Sequence, residues 1–225
     1  MHIVIEDSLS ALMRAETYGQ IGEVITNFAN QCGFEYFGYQ YWPGDYAYGH
    51  PEFSGTVQTN FPQVWQRRYV EQNYYHDDPV RLFGLEQEGM LEWSQVPRWN
   101  ARQETMMQDA ANYGLEEGIV ASCHENPKGR LQLTLAGKSF KGDMRLAAQA
   151  MPSIVPVMLV CFRCAHKLED KIKWLTERQR DVFLLLRKGQ RRENIASQLS
   201  LSVRQVDRHI ARIKENTGTN LVVGD

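Results

Sequence analysis

Long apolar runs, a cysteine framework and a strong net charge are all missing from this 225-residue sequence, and each absence excludes something. The longest apolar candidate, AAQAMPSIVPVMLVCF, falls short of the roughly 18 residues a membrane span needs. It also carries two prolines, so no membrane-spanning segment is expected. The opening MHIVIEDSLSALMRAE has no basic start followed by an apolar stretch, so no secretory signal is expected and the cytoplasm is the natural compartment. Four cysteines (Cys32, Cys123, Cys161 and Cys164) do not make a disulfide framework in a chain of this size. Cys161 and Cys164 are spaced C-x-x-C, which would suit redox chemistry or half a zinc site. They lie in an apolar helical stretch with no second pair, so two small buried residues are the better reading, and no metal or cofactor is expected. Internal repeats and low-complexity segments are absent as well.

What is present is a globular composition, 43% hydrophobic and 23% charged, enough for a sizeable core in one or two domains. The net charge of −2 conceals an asymmetry. Residues 171–225 hold twelve Lys and Arg against six Asp and Glu, leaving thirteen against twenty-one in residues 1–170. An acidic body with a basic tail domain points to a polyanionic partner for the tail.

Periodicity orders the body. Leu9, Leu12, Met13, Tyr18, Ile21, Val24, Ile25 and Phe28 recur at helical spacing, and Gly33 ends that stretch. FEYFGYQYW (34–42) reads as an aromatic strand, Pro43–Gly44–Asp45 as a turn and EFSGTVQTN (52–60) as a second strand. Pro62 suits the first turn of a helix carrying QVWQRRYVEQ, and a short helix follows Asp78–Pro79. MLEWSQV reads as a brief strand, and residues 97–114 as a helix stopped by glycine. GIVASCHEN and RLQLTLAG, split by the turn PKG, read as a hairpin, and residues 142–170 as a last helix. This order predicts an α+β fold, an N-terminal α/β/α sandwich on an antiparallel sheet.

Near residue 171 the character changes. TERQRDVFLLLRKG, RRENIASQLS and SVRQVDRHIARIKENTG are three short helical segments, with Thr176 and Ser202 as caps of the first and third. Two short helices joined by a tight turn, the second studded with Arg and His, form the helix-turn-helix layout. Val203, Val206, Ile210 and Ile213 should face the core. Arg204, Gln205, Asp207, Arg208, His209, Arg212 and Lys214 are left for solvent or a partner. Arg and Gln near the N-terminal end of such a helix can read guanine and adenine edges. Arg191, Arg192 and Lys188 sit where an earlier helix would touch phosphate. The expected domains are 1–165, a linker over 166–174, and a small all-α domain over 175–225.

Leu175, Thr176, Arg178, Gly189, Ile195, Ala196, Ser202, Val206 and His209 together resemble the DNA-binding domain of the LuxR-type transcription regulators. Gln179 stands where relatives usually have glutamate and Gln205 where they usually have threonine. The closing TNLVVGD comes where relatives usually continue into a fourth helix, so a short domain lacking it is expected. The first half resembles the autoinducer-binding domain of the quorum-sensing branch, on the spacing of Phe61, Pro62, Trp65, Tyr69, Asp78, Pro79, Trp93 and Ser94. Gly118 matches a glycine near the pocket, and Thr134 a hydroxyl position on the last strand. The resemblance implies a pocket for an N-acyl homoserine lactone. The Trp65 indole would donate to the lactone carbonyl, the Tyr69 hydroxyl to the amide carbonyl, and Asp78 would accept the amide N–H. Trp93 would pack on the ring, Thr134 would serve a carbonyl near the chain, and Phe61 removes a hydroxyl that many relatives have. It further implies double-stranded DNA, a homodimer and RNA polymerase as partners, and no enzymatic activity.

Read singly, Trp65 and Tyr69 are plain core residues and Asp78 a turn cap. Read together they line a pocket, while a base-stacking platform is disfavoured in an acidic body. Three other readings compete. The pocket could accept a different small amphipathic ligand. A regulator-like chain could pair with and silence a true regulator, as the two glutamines and the short C-terminus suggest. A thiol hydrolase using Cys123 beside His124 is disfavoured, because adjacent strand residues point to opposite faces. His124 and Glu125 are read as exposed strand-end residues.

Overall fold

Side-chain alternation along one strand accounts for the layering of the body. In RLQLTLAG the leucines Leu131, Leu133 and Leu135 point to one face of the sheet, and Arg130, Gln132 and Thr134 to the other. The computed structural model describes residues 2–44, 56–98, 100–125, 128–138 and 142–217. Five strands, β1 (Tyr36–Pro43), β2 (Thr56–Thr59), β3 (Gly89–Glu92), β4 (Glu117–Glu125) and β5 (Gly129–Gly137), form an antiparallel sheet in the order β2-β1-β5-β4-β3. The leucine face packs on helices α1 (His2–Arg14), α2 (Tyr18–Gln31) and α6 (Met144–Ile172), with Ile21, Phe28, Tyr39 and Phe162 at the centre of that core. Against the other face lie α3 (Gln63–Glu71), α4 (Pro79–Glu86) and α5 (Ala101–Ala111), contributing Trp65, Phe83 and Met106 to a second core. The architecture is the expected α/β/α sandwich.

Local departures have local causes. The opening helical stretch is two helices, because Thr17 accepts from the Gln20 N–H while the Gln20 side chain accepts from the Thr17 N–H, a capping box that restarts the helix. Trp93 and Ser94 leave the strand for a 3₁₀ turn over Trp93–Gln95, which lets the Trp93 ring fold under the sheet. Helix α5 begins only at Ala101, where Asn100 caps it by accepting from the Gln103 N–H. In the two expected hairpins, Asp45, Glu52–Gly55 and Asn126–Pro127 lie outside the described residues, and Pro43 itself ends β1.

Helix α6 corrects the expectation about apolar runs. Its Met144–Asp170 stretch is long and apolar enough to cross a membrane, yet half of its most apolar window is buried in the protein. Pro152 and Pro156 stand one turn apart on its exposed side, while Met151, Ile154, Met158 and Phe162 are buried on the other. The apolar stripe is core, and its burial outweighs the interrupted backbone bonds. Cys161 donates its S–H to the Leu12 carbonyl, but Cys164 is exposed, so the cysteine pair is not two buried residues.

The chain divides into two compact units, residues 1–165 and 166–225. In the second, α7 (Glu177–Arg187), α8 (Arg192–Gln198) and α9 (Val203–Thr217) pack around Val182, Phe183, Ile195, Val206, Ile210 and Ile213. Val203, the first residue of α9, is more exposed than its spacing predicts. Gly189 (φ 71°) and Ser200 (φ 54°) supply the left-handed residues that end α7 and α8. The residues expected to lack a fourth helix, 218–225, lie outside the described residues.

Candidate functional site

A cavity of about 460 Å³ lies between the second face of the sheet and helices α3 to α5. Phe61, Trp65, Tyr69, Asp78, Trp93 and Thr134 all line it, although they come from five separate elements. Trp65 and Tyr69 share one face of α3, and the Trp65 ring sits among Tyr69, Tyr74 and Tyr113 at centroid distances of 5.8, 5.8 and 5.6 Å. Among the described residues no acceptor meets the Trp65 indole N–H, so a donor is left over at the cavity wall.

Asp78 does two things at once. Its Oδ1 accepts from the backbone N–H groups of Val80 (2.9 Å) and Arg81 (3.1 Å), capping α4. Its Oδ2 accepts from the Tyr69 hydroxyl at 2.8 Å. Burial pushes the Asp78 carboxyl above its ordinary range, and the bonds from Arg81, Tyr69 and Val80 only partly offset that. Burial and the neighbouring Asp78 push the Tyr69 phenol well above its ordinary value. A hydrogen-bond donor arriving from the cavity would be received by a carboxylate that still has lone pairs to offer.

The sheet places Asp78 by holding the far end of α4. The Gly84 carbonyl meets His124 Nε2 at 2.9 Å, Arg130 Nη1 donates to the Leu85 carbonyl at 2.6 Å, and Ser122 Oγ donates to the Gln87 carbonyl. These contacts satisfy the carbonyls that a helix end leaves without partners. His124 is therefore a half-buried anchor and not an exposed strand end. Glu125 is likewise engaged, with Lys128 and with Arg163 of α6. Cys123 packs in the leucine-face core while His124 reaches α4, so the two point apart and form no nucleophile–base pair. Behind Trp65, Asp109 of α5 accepts from Arg68 Nε (2.8 Å) and the Tyr74 hydroxyl (2.9 Å), which ties α3 to α5. Burial raises the Asp109 carboxyl, but those bonds outweigh it and hold it below its ordinary range.

Trp93 and Thr134 are engaged with each other. The Trp93 indole N–H donates to Thr134 Oγ1 (3.0 Å), and the Thr134 hydroxyl donates to the Ile119 carbonyl (3.2 Å). Gly118 makes this possible, since a Cβ there would stand 2.7 Å from the indole. Among the cavity residues that escaped sequence reasoning are Gln40 and Gln132, which face each other across β1 and β5. Their signal was the alternation in RLQLTLAG, which puts Gln132 on the same face as Thr134. Among the described residues no group of three or more His, Cys, Asp and Glu could hold a metal ion.

In the second unit, Arg204, Gln205, Arg208, Arg212 and Lys214 are exposed along α9 and His209 is half-buried. Ser202 and Gln205 form a reciprocal cap: Gln205 Oε1 accepts from the Ser202 N–H (2.8 Å) and Oγ–H (3.0 Å), and Ser202 Oγ accepts from the Gln205 N–H (3.3 Å). Gln179 completes the same motif with Thr176 at the start of α7. Arg191 and Arg192 are exposed at the start of α8, and Arg192 lies 3.4 Å from Asp207 of α9. Lys188 is exposed at the end of α7.

Two family models match the chain: an autoinducer binding domain over residues 17–165, and bacterial regulatory proteins of the luxR family over residues 173–220. The chain is 24% identical to the transcriptional activator protein AnoR of Acinetobacter nosocomialis, over 96% of this chain and 92% of that protein. Its fold is similar to that of the N-acylhomoserine lactone dependent LuxR family transcription factor CepR2 of Burkholderia cenocepacia, at 20% identity and a TM-score of 0.58, covering 72% of this chain and 97% of that one. Escherichia coli SdiA is similar over 96% of this chain and 91% of its own, at 19% identity and a TM-score of 0.56.

Proposed function

The chain belongs to the luxR family of bacterial regulators that carry an autoinducer-binding domain, and on that premise we propose that it binds an N-acyl homoserine lactone and, as a dimer, a near-palindromic promoter site. The observation that carries the ligand reading is the convergence of the Trp65 N–H, the Tyr69 hydroxyl and the Asp78 carboxylate on one mostly apolar cavity of about 460 Å³. An acyl homoserine lactone presents two carbonyls and one amide N–H. Trp65 donates to the lactone carbonyl, and the Tyr69 hydroxyl turns from Asp78 to donate to the amide carbonyl while Asp78 accepts the amide N–H in its place. Phe61 and Trp93 supply apolar wall, and Thr134 acts by holding Trp93 in place.

Arg204, Arg208, His209, Arg212 and Lys214 on α9 reach DNA, and Arg191 and Arg192 contact phosphate from α8. Ser202 and Gln205 hold the helix start. Because both glutamines complete caps, neither speaks for a silencing partner. A cytoplasmic setting and contact with RNA polymerase follow from the same reading.

The test of ligand binding is a thermal-shift panel of acyl homoserine lactones of graded chain length. A ligand at a hundred times its Kd adds about 2.7 kcal/mol to stability. No shift with any of them, in folded protein, would sink the reading.

For DNA, Arg208→Ala is expected to weaken binding to sites selected from a random pool by about 1–3 kcal/mol and to relax one position. Arg191→Ala should weaken all sequences alike and lower the salt slope by about one. Fluorescence anisotropy at graded salt separates these outcomes.

A further inference from the structure

Gln132 sits in the middle of β5, lines the cavity and is 6% exposed. Its Oε1 is buried and accepts no hydrogen bond. Directly across the strand pair, Gln40 also lines the cavity, and among the described residues neither side-chain amide has a hydrogen-bond partner. A carboxamide placed on a buried sheet face would ordinarily be paired. Only a glycine leaves room for it: a Cβ on Gly84 of α4 would lie 2.0 Å from Gln132 Oε1. The other polar groups on this face of β5 are already engaged, Thr134 with Trp93 and Ile119 and Arg130 with the Leu85 carbonyl.

The position is informative. Gln132 is about 7 Å along β5 from Thr134, at two residues of strand rise. Gly84, which it touches, is about 9 Å along α4 from Asp78, at six residues of helix rise. On the lactone reading, with the ring against Trp93 beside Thr134, it is the acyl chain that would pass the Gln132 amide. Rotation about the last side-chain torsion, which is soft in glutamine, turns the carboxamide from Gly84 toward the cavity.

On the lactone reading above, we infer that Gln132 makes the cavity selective for an acyl chain bearing a hydroxyl group. An orphan carboxamide oxygen needs a donor, and a hydroxyl supplies one while accepting an N–H from Gln132 or Gln40 in return. An oxo group only accepts, so it leaves Oε1 unpaired. An unsubstituted chain leaves the whole amide unpaired beside methylene groups, which is the costly arrangement.

The experiment is isothermal titration of the full-length protein with acyl homoserine lactones of equal length that carry a hydroxyl, an oxo group or only hydrogens at the third carbon. The wild type should bind the hydroxylated compound at least tenfold tighter than the unsubstituted one. Gln132→Met, close in size and without hydrogen-bonding groups, should level or invert that order. It should also raise the melting temperature of the empty protein, because the orphan oxygen is gone. The wild-type ranking is decisive even if the variant fails to fold. Equal affinity for all three compounds, or a preference that survives in Gln132→Met, overturns the assignment to Gln132 while binding itself leaves the lactone reading standing. Failure of every compound to bind overturns both.

Discussion

Replacing Asp78 with asparagine is expected to leave the fold intact and to cost the ligand at least a hundredfold in affinity. The substitution separates the two jobs of this side chain. The asparagine keeps an oxygen to cap α4 through Val80 and Arg81, and asparagine is among the best capping residues. The oxygen that receives Tyr69 in the empty protein, and would receive the ligand N–H, becomes an NH₂ group. The Tyr69 hydroxyl can turn to accept from it, but the ligand N–H meets a second donor. Losing one partner of a buried charged hydrogen bond costs about 2–5 kcal/mol, and a hundredfold is about 2.7 kcal/mol. Asp78→Ala should add about 1 kcal/mol of lost stability from the missing cap. Calorimetry with the best lactone and a melting curve read the two effects separately. Undiminished affinity in Asp78→Asn would remove Asp78 from the ligand site.

The same carboxylate sets a pH dependence of unusual sign. Its folded-state pKa lies above the ordinary 3.8, so the empty folded protein holds this proton more tightly than the unfolded chain does. Its contribution to stability is therefore lost as pH rises from the unfolded value through the folded one. Ligand that donates to Asp78 favours the carboxylate, so affinity should tighten over the same window. Asp78→Asn should show neither trend, and the difference between wild type and variant isolates this one group.

Gly118→Ala is expected to cost about 3 kcal/mol, although it adds a single methyl group. The new carbon would lie 2.5 Å from the Leu135 carbonyl oxygen and 2.7 Å from the Trp93 ring. Neither can give way freely, since one is backbone of the central strand and the other is held by Thr134. Overpacking costs about 1–3 kcal/mol, and breaking the Trp93–Thr134 bond inside the core adds about 1–3 kcal/mol. For a unit of this size the melting temperature should fall by about 10 °C. Gly19→Ala is the control: the nearest atom to its new carbon is Thr17 Oγ1 at 3.9 Å, and alanine is the better helix former. It should raise stability by roughly 0.5–1 kcal/mol. Equal melting temperatures for the two variants would refute this account of the Trp93 seat.

Much of the fold was legible because it follows from local rules. The helical spacing of Trp65 and Tyr69, the Asp78–Pro79 helix start and the leucine alternation in β5 each report an element without reference to any other. The break after Arg14 was legible too, since Thr17 followed by Gln20 is a capping-box pattern, but the apolar spacing on either side masks it. The brief strand ending at Glu92 could not be told from the turn that follows, because WSQ suits either until the Trp93 ring has somewhere to go.

By itself, the sequence determined the layers, the two units' composition and which residues share a face, since periodicity and charge are properties of short stretches. Only the tertiary structure decided which polar groups are spent and which remain. Thr134 is taken by Trp93, 41 residues away, and the α4 carbonyls by His124 and Arg130, while Gln132 keeps an oxygen with nothing to accept. Hydrogen bonds need atoms within about 3 Å in a set direction, and residues far apart in the chain reach that distance only after the helices have packed on the sheet.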